Sequence, residues 1–108
     1  TFLGRICLQW IQWENLSASI GYWLLHSHTG KGYATEALKR LCLYAFNSLK
    51  LNRLEIDIAA NNQKSIALVK RVGFQEEGFF REYANLHGVF LNHLRFSLLS
   101  TDPAFLVN

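Results

Sequence analysis

Between Leu25 and Tyr33 the hydrophobic pattern of this chain changes period, and that change limits the fold more than any other feature. Before it, residues 19–25 (Ser-Ile-Gly-Tyr-Trp-Leu-Leu) read as a strand. After it, Ala37, Leu38, Leu41, Cys42, Ala45, Phe46 and Leu49 recur at the spacing of one helix face, with Glu36, Lys39, Arg40 and Ser48 largely outside that stripe. The joint is His26-Ser27-His28-Thr29-Gly30-Lys31-Gly32, a glycine-bearing loop. A strand that passes through such a loop into a long helix, predicted over 33–49, opens an α/β crossover.

The flanking segments fit the same class. Residues 2–10 read as a strand, and the short polar turn Glu14-Asn15-Leu16-Ser17 pairs it antiparallel with 19–25. Leu54, Ile56 and Ile58 alternate with Glu55 and Asp57, a strand pattern. Asn61-Asn62 is a natural helix-cap pair. Ile66, Val69 and Val72 follow at helical spacing, Lys70 and Arg71 occupy the last turn, and Gly73 suits the position just past a helix end. Strands are predicted over 74–82 and 90–100, with Asn85-Leu86-His87-Gly88 as hairpin chemistry between them. The order is strand-strand-helix-strand-helix-strand-strand, an α/β chain with a mixed sheet. Pro103 ends strand character, leaving 101–108 as an irregular tail.

The 108 residues suffice for one small domain. A net charge of +3 suits an anionic ligand but is too small and scattered for nucleic acid. No apolar run approaches the ~18 residues of a membrane span, and no signal peptide is evident. Cys7 and Cys42 fit no metal spacing and read as reduced thiols of a cytoplasmic protein. His26 and His28 lack a third ligand, so no metal is expected. An aromatic share of 14% is heavy for so small a core, so some rings line a groove or await a neighbour. Trp10, Trp13 and Tyr22 are groove candidates, with core packing the plainer role for each.

The loop carries the first chemical signal. The first turn of a helix leaves backbone N–H groups unpaired, and the helix dipole adds partial positive charge there. Gly30 and Gly32 let a pyrophosphate approach the backbone, and Lys31 adds charge to the rim. The spacing fits neither a P-loop nor a dinucleotide fingerprint. Two glycines at a strand-to-helix joint also have a purely geometric reading.

The segment Ile20-Gly21-Tyr22-Trp23-Leu24, followed by His28-Thr29-Gly30-Lys31-Gly32-Tyr33-Ala34-Thr35-Glu36-Ala37, resembles the acetyl-CoA motif of GNAT N-acetyltransferases. That motif, Gln/Arg-x-x-Gly-x-Gly/Ala, falls on 29–34, with Gly32 and Ala34 in place and Thr29 where Gln or Arg is usual. Further matches run in order: Tyr44-Ala45-Phe46, Leu51-Asn52-Arg53-Leu54-Glu55, Asn62-x-x-Ser65, Arg71-Val72-Gly73-Phe74, Gly78-x-x-Arg81-Glu82 and Asn92-His93-x-x-x-Ser97-Leu98-Leu99. Together they resemble the RimJ/RimL-like group over residues 2–100, which makes 1–100 a partial GNAT domain that begins at the family's third strand.

The resemblance implies a mixed GNAT-type sheet with two crossover helices and a cleft where the strand ending at Leu25 diverges from the one starting at Arg53. It implies acetyl-CoA as cosubstrate, no metal, and a primary amine as acceptor, such as the N-terminus of a ribosomal protein. A small amine, or a homodimeric assembly, also fits. It places Trp23, Leu24 and Leu25 at the thioester, Thr29, Gly30, Lys31, Gly32, Tyr33 and Ala34 at the pyrophosphate, and Asn62 and Ser65 along the cofactor arm. Ser65 is the implied proton donor to the departing thiolate; Val69 stands where many members carry a tyrosine. The proton acceptor is open. No acid stands at Ala84, where this group often has one, and Glu82, His87 and His93 are the nearby candidates, each with a plain structural reading. A non-catalytic acetyl-CoA-binding or structural module is the alternative.

Overall fold

A computed structural model describes the backbone of residues 4–24 and 31–103, and the side chains of 7–21 and 34–103. Leu25, His26, His28, Thr29 and Gly30 lie outside the described residues, as do 104–108.

Alternation produces the sheet. In β3 (Arg53–Ala59), Leu54, Ile56 and Ile58 are buried and the residues between them are half-buried. In β5 (Val89–Leu99), Phe96 and Leu98 are buried on the same side. Ala18 and Ile20 supply that face in β2 (Ser17–Leu24), which pairs antiparallel with β1 (Gly4–Gln12) as the short turn implies. β4 (Gln75–Leu86) completes five strands in the order β1-β2-β3-β5-β4. β2 and β3 run parallel, and the remaining neighbours are antiparallel.

Two helices make the crossovers, α1 (Lys31–Leu43) from β2 to β3 and α2 (Gln63–Val72) from β3 to β4. Leu38, Cys42, Ala45 and Phe46 join Ile66, Leu68, Val69 and Val72 over the sheet in one apolar cluster. Burial pushes the Cys42 thiol up to about 12, which leaves it protonated and unreactive.

The predicted single helix over 33–49 is corrected. Its α-helical part is Lys31–Leu43, and Tyr44–Ser48 forms a π-helical turn, closed by the Leu49 amide on the Tyr44 carbonyl at 3.2 Å. The wider turn keeps both Ala45 and Phe46 in the core while Tyr44 is exposed. Ala37, expected on the buried stripe, is also exposed.

α2 begins and ends as its sequence signals. Asn62 Oδ1 accepts from the Ser65 amide at 3.2 Å. Gly73 takes φ 117°, and its amide reaches the carbonyls of Val69 and Lys70. The Phe74 amide returns to Val69, and its ring is buried.

β4 and β5 both reach further into the hairpin than predicted, leaving a two-residue turn with positive φ at His87 (52°) and Gly88 (85°), as a type I′ turn requires. Asn85 Oδ1 accepts from the Gly88 amide at 2.9 Å. The start of the tail is ordered: the Leu99 amide donates to Asp102 Oδ2 and the Asp102 amide to the Leu99 carbonyl, each at 2.9 Å.

Candidate functional site

The sheet divides. β2 and β3 pair over Ser17↔Arg53, Ala18↔Leu54, Ser19↔Glu55 and Ile20↔Ile56, and there the pairing stops. β2 continues to Leu24 against β1, and β3 continues to Ala59 against β5. Residues 21–24 and 57–59 therefore border a split between two parts of one sheet. Alternate residues of a strand turn their N–H and C=O to opposite sides, so each edge aims backbone donors and acceptors into the opening.

Local chemistry builds this split. Gly21 is buried at its closed end, and the Gln9 side chain, bulged out of β1, lies over it where a Cβ would stand. α1 leaves from the end of β2 and α2 from the end of β3. The start of α2, four residues past Ala59, therefore lies by the open end of the split.

Lys31, Gly32, Tyr33 and Ala34 form the first turn of α1, with Ala34 buried. Trp23 and Leu24 lie on the β2 side of the split, described in backbone only, while Leu25, Thr29 and Gly30 fall outside the described residues. Asn62 and Ser65 occupy the cap and first turn of α2, and Ser65 is buried to 4% exposure. Val69 is fully buried in the core.

The second face of the sheet is polar. Arg95 binds Asp57 through Nε at 2.8 Å and Nη2 at 3.0 Å, and its guanidinium lies 4.8 Å from the centre of the Phe80 ring. Arg53 binds Glu55 and Glu77. The Glu77 hydrogen bond, outweighing desolvation, raises the affinity of Arg53 for its proton, and the same bond holds the Glu77 carboxyl below its usual range. The bond to Asp57 acts likewise on Arg95. These pairs lock β3, β5 and β4 together.

Near the open end β4 departs from alternation. Register shifts between Phe80 and Ala84, and Glu82 takes φ 47° while its amide donates to Asn92 Oδ1 at 2.8 Å. Glu82 lines a groove of about 440 Å³ with Phe79, Arg81 and Asn92. Ala84 instead pairs with Leu91, whose neighbour Asn92 points to the opposite face. Regular alternation would put Glu82 and Ala84 on one face, and the register shift between Phe80 and Ala84 interrupts that alternation. His87 sits in the hairpin turn, and His93 pairs with Ala59 at the end of β3.

Trp10 and Trp13 are 70% and 57% exposed, so packing within these residues does not account for them. Among the described residues no group of three His, Cys, Asp or Glu is arranged to hold a metal ion, and no helix is long and apolar enough to cross a membrane. Residue patterns alone did not reveal the split.

Residues 1–75 match the family model described as an acetyltransferase (GNAT) domain. The uncharacterized N-acetyltransferase p20 of Bacillus licheniformis is 40% identical over 102 residues, covering 94% of this chain and 57% of that protein. The putative ribosomal N-acetyltransferase YdaF of Bacillus subtilis is 39% identical over 99 residues, covering 92% and 54%. The solved structure of a spermidine N-acetyltransferase SpeG mutant from Vibrio cholerae superposes with a TM-score of 0.83 at 29% identity, over 92% of this chain and 59% of that one. The chain spans a little over half the length of the curated relatives it matches.

Proposed function

This chain belongs to the GNAT acetyltransferase family, and we propose from that premise that it is the acetyl-CoA-binding part of an amine N-acetyltransferase. The observation that carries the reading is the end of β2–β3 pairing at Ile20 and Ile56 while both strands run on. A cleft edged by unpaired backbone amides suits the amide-bearing pantetheine arm, which answers each edge as a strand would. The pyrophosphate rests on the backbone N–H groups of Gly30, Lys31, Gly32, Tyr33 and Ala34, helped by the α1 dipole and the Lys31 charge. Thr29 borders that loop. A backbone N–H of Trp23, Leu24 or Leu25 polarises the thioester carbonyl.

Asn62 and Ser65 flank the arm from α2. Asn62 caps that helix, which fixes the turn carrying Ser65. The Ser65 hydroxyl supplies a proton or hydrogen bond to the departing thiolate. The acceptor is a primary amine. Within that class we favour a protein N-terminus such as that of a ribosomal protein, supported by the printed name of YdaF, with a polyamine second, supported by that of SpeG. A cytoplasmic, homodimeric enzyme fits this reading.

Thr29, Val69 and Ala84, each a departure from the family pattern, favour a second reading in which the fold binds acetyl-CoA without transferring the acetyl group. Calorimetry with acetyl-CoA on the full-length protein, followed by thiol-release assays with an N-terminal-serine peptide and with spermidine, separates the two. Binding with acceptor-dependent thiol release supports the enzyme. Binding with no release supports the binding module, and no binding refutes both.

A further inference from the structure

The geometry points to Arg71 as a coenzyme A contact that grips the ribose 3′-phosphate, a role that rests on the proposed pyrophosphate site at the start of α1. Arg71 stands in the last turn of α2, at the far end of that helix from Asn62 and Ser65. Its side chain leaves its own helix and crosses to α1, where Nη1 donates to Thr35 Oγ1 at 3.3 Å. Side chains on a helix lean toward its N-terminus, so the hydroxyl of Thr35, which follows the first turn of α1, overlies that turn. The guanidinium is thereby held beside the start of α1.

Ordinary electrostatics runs against this placement. The C-terminal end of α2 attracts a cation, and the N-terminal start of α1 repels one. Acidic side chains commonly offset such a start, yet the first turn of α1 holds none and contributes Lys31 instead. Glu36, the next acid along α1, is engaged by Arg40 at 3.3 Å. Arg40, Arg53 and Arg95 each meet a carboxylate, whereas Arg71 meets none among the described residues. A helix start, a lysine and a guanidinium gathered without an acid form an arrangement that an anion completes.

Coenzyme A offers two kinds of phosphate, a pyrophosphate between its pantetheine arm and adenosine and a separate monoester on the ribose 3′ oxygen. Backbone amides suit the pyrophosphate, and those donors end with the first turn, since later amides are spent inside the helix. A phosphate standing by Thr35 must therefore be held by side chains. The Arg71 fork and the Thr35 hydroxyl are such side chains, and a planar guanidinium matches a phosphate through two parallel bonds. The monoester carries about −1.5 to −2 charges near neutral pH, more than either half of the pyrophosphate. In this arrangement α2 serves the cofactor twice, with Asn62 and Ser65 on the arm and Arg71 on the nucleotide.

Calorimetry on the full-length protein with coenzyme A and with 3′-dephospho-coenzyme A tests this, because the two ligands differ only in the monoester. Wild-type protein should bind coenzyme A about tenfold more tightly than the dephospho form, the size of one charge-assisted contact. Arg71→Gln should weaken coenzyme A about tenfold, leave the dephospho form within about twofold, and so erase the preference. Arg71→Lys should recover only part of it, because a lysine keeps the charge and loses the fork. Wild-type protein that binds both ligands alike overturns the proposal with no variant needed. So does an Arg71→Gln protein that loses affinity for both ligands equally, which would assign Arg71 to the pyrophosphate or to helix packing. Binding of neither ligand by wild-type protein refutes the α1 site and Arg71 with it. A preference that survives Arg71→Gln removes Arg71 alone.

Discussion

Arg95 grips Asp57 from the directly opposed position on the neighbouring strand, fork to carboxylate, at 2.8 and 3.0 Å. Both side chains are about three-quarters shielded from solvent, so the pair is worth more than a surface contact. Asp57→Asn should cost about 1 kcal/mol in urea unfolding. Arg95→Lys should cost a similar amount, because a lysine cannot reproduce the fork. A double-mutant cycle that returns no coupling between these positions would refute the claim.

Glu77 predicts a pH dependence. Its carboxyl is held below the usual range chiefly by the Arg53 hydrogen bond, against an opposing push from desolvation. A lowered folded-state value means the stabilisation is complete above the unfolded carboxylate value, about 4.3, and is lost as pH falls through the folded value. Glu77 is 41% exposed, and solvent screens the pair. Glu77→Gln should therefore cost only about 0.5 kcal/mol at neutral pH, and the difference from wild type should close below about pH 4. Unfolding curves across pH 3–7 check both the size and the direction.

Gly32 lies in the first turn of α1, where the proposed pyrophosphate meets the backbone. Gly32→Val puts a branched side chain in that approach. Coenzyme A affinity should fall at least tenfold, about 1.4 kcal/mol. Unchanged affinity by calorimetry would move the anchor elsewhere.

Ser65→Ala should divide turnover from binding. In the proposed site several backbone donors hold the phosphates, so loss of one hydroxyl should leave coenzyme A affinity nearly intact. The thiolate needs its proton only as charge develops on sulfur, and an interaction made only then lowers kcat. Because a thiolate leaves readily, kcat should fall about 10–100-fold, the low end for general acid catalysis. Asn62→Ala gives the contrast. It removes the cap on the Ser65 amide and should cost about 1 kcal/mol of stability. Wild-type turnover in the serine variant would confine Ser65 to a structural part.

Local rules made α2 and the β4–β5 hairpin legible, because Asn62, Gly73 and the His87-Gly88 turn each act within a few residues. The crossover and the antiparallel opening pair also followed from period and loop length. The failures are non-local. Nothing in residues 21–24 records that β3 has left their side, since β1 still supports their strand conformation. The Glu82 bulge was hidden because a glutamate at positive φ breaks the rule from which alternation is read, and the Asn92 side chain that satisfies its amide comes from ten residues away. The π-helical turn was hidden because Ala45 and Phe46 satisfy a helical stripe with either winding. The residues of the proposed pyrophosphate loop came from the family motif, and Leu25, Thr29 and Gly30 stand beyond the described residues.

The Leu16 carbonyl, in the turn between β1 and β2, accepts from the amides of both Asn52 and Arg53, where β3 begins. It acts as the stop at the bottom of a zip. Four rungs lie between that stop and the fork at Ile20 and Ile56, and lengthening the fork by one residue breaks paired backbone already closed beneath it. Whatever enters from above meets a seat whose depth the chain has set beforehand, much as a shoulder machined into a bore stops a shaft at one position.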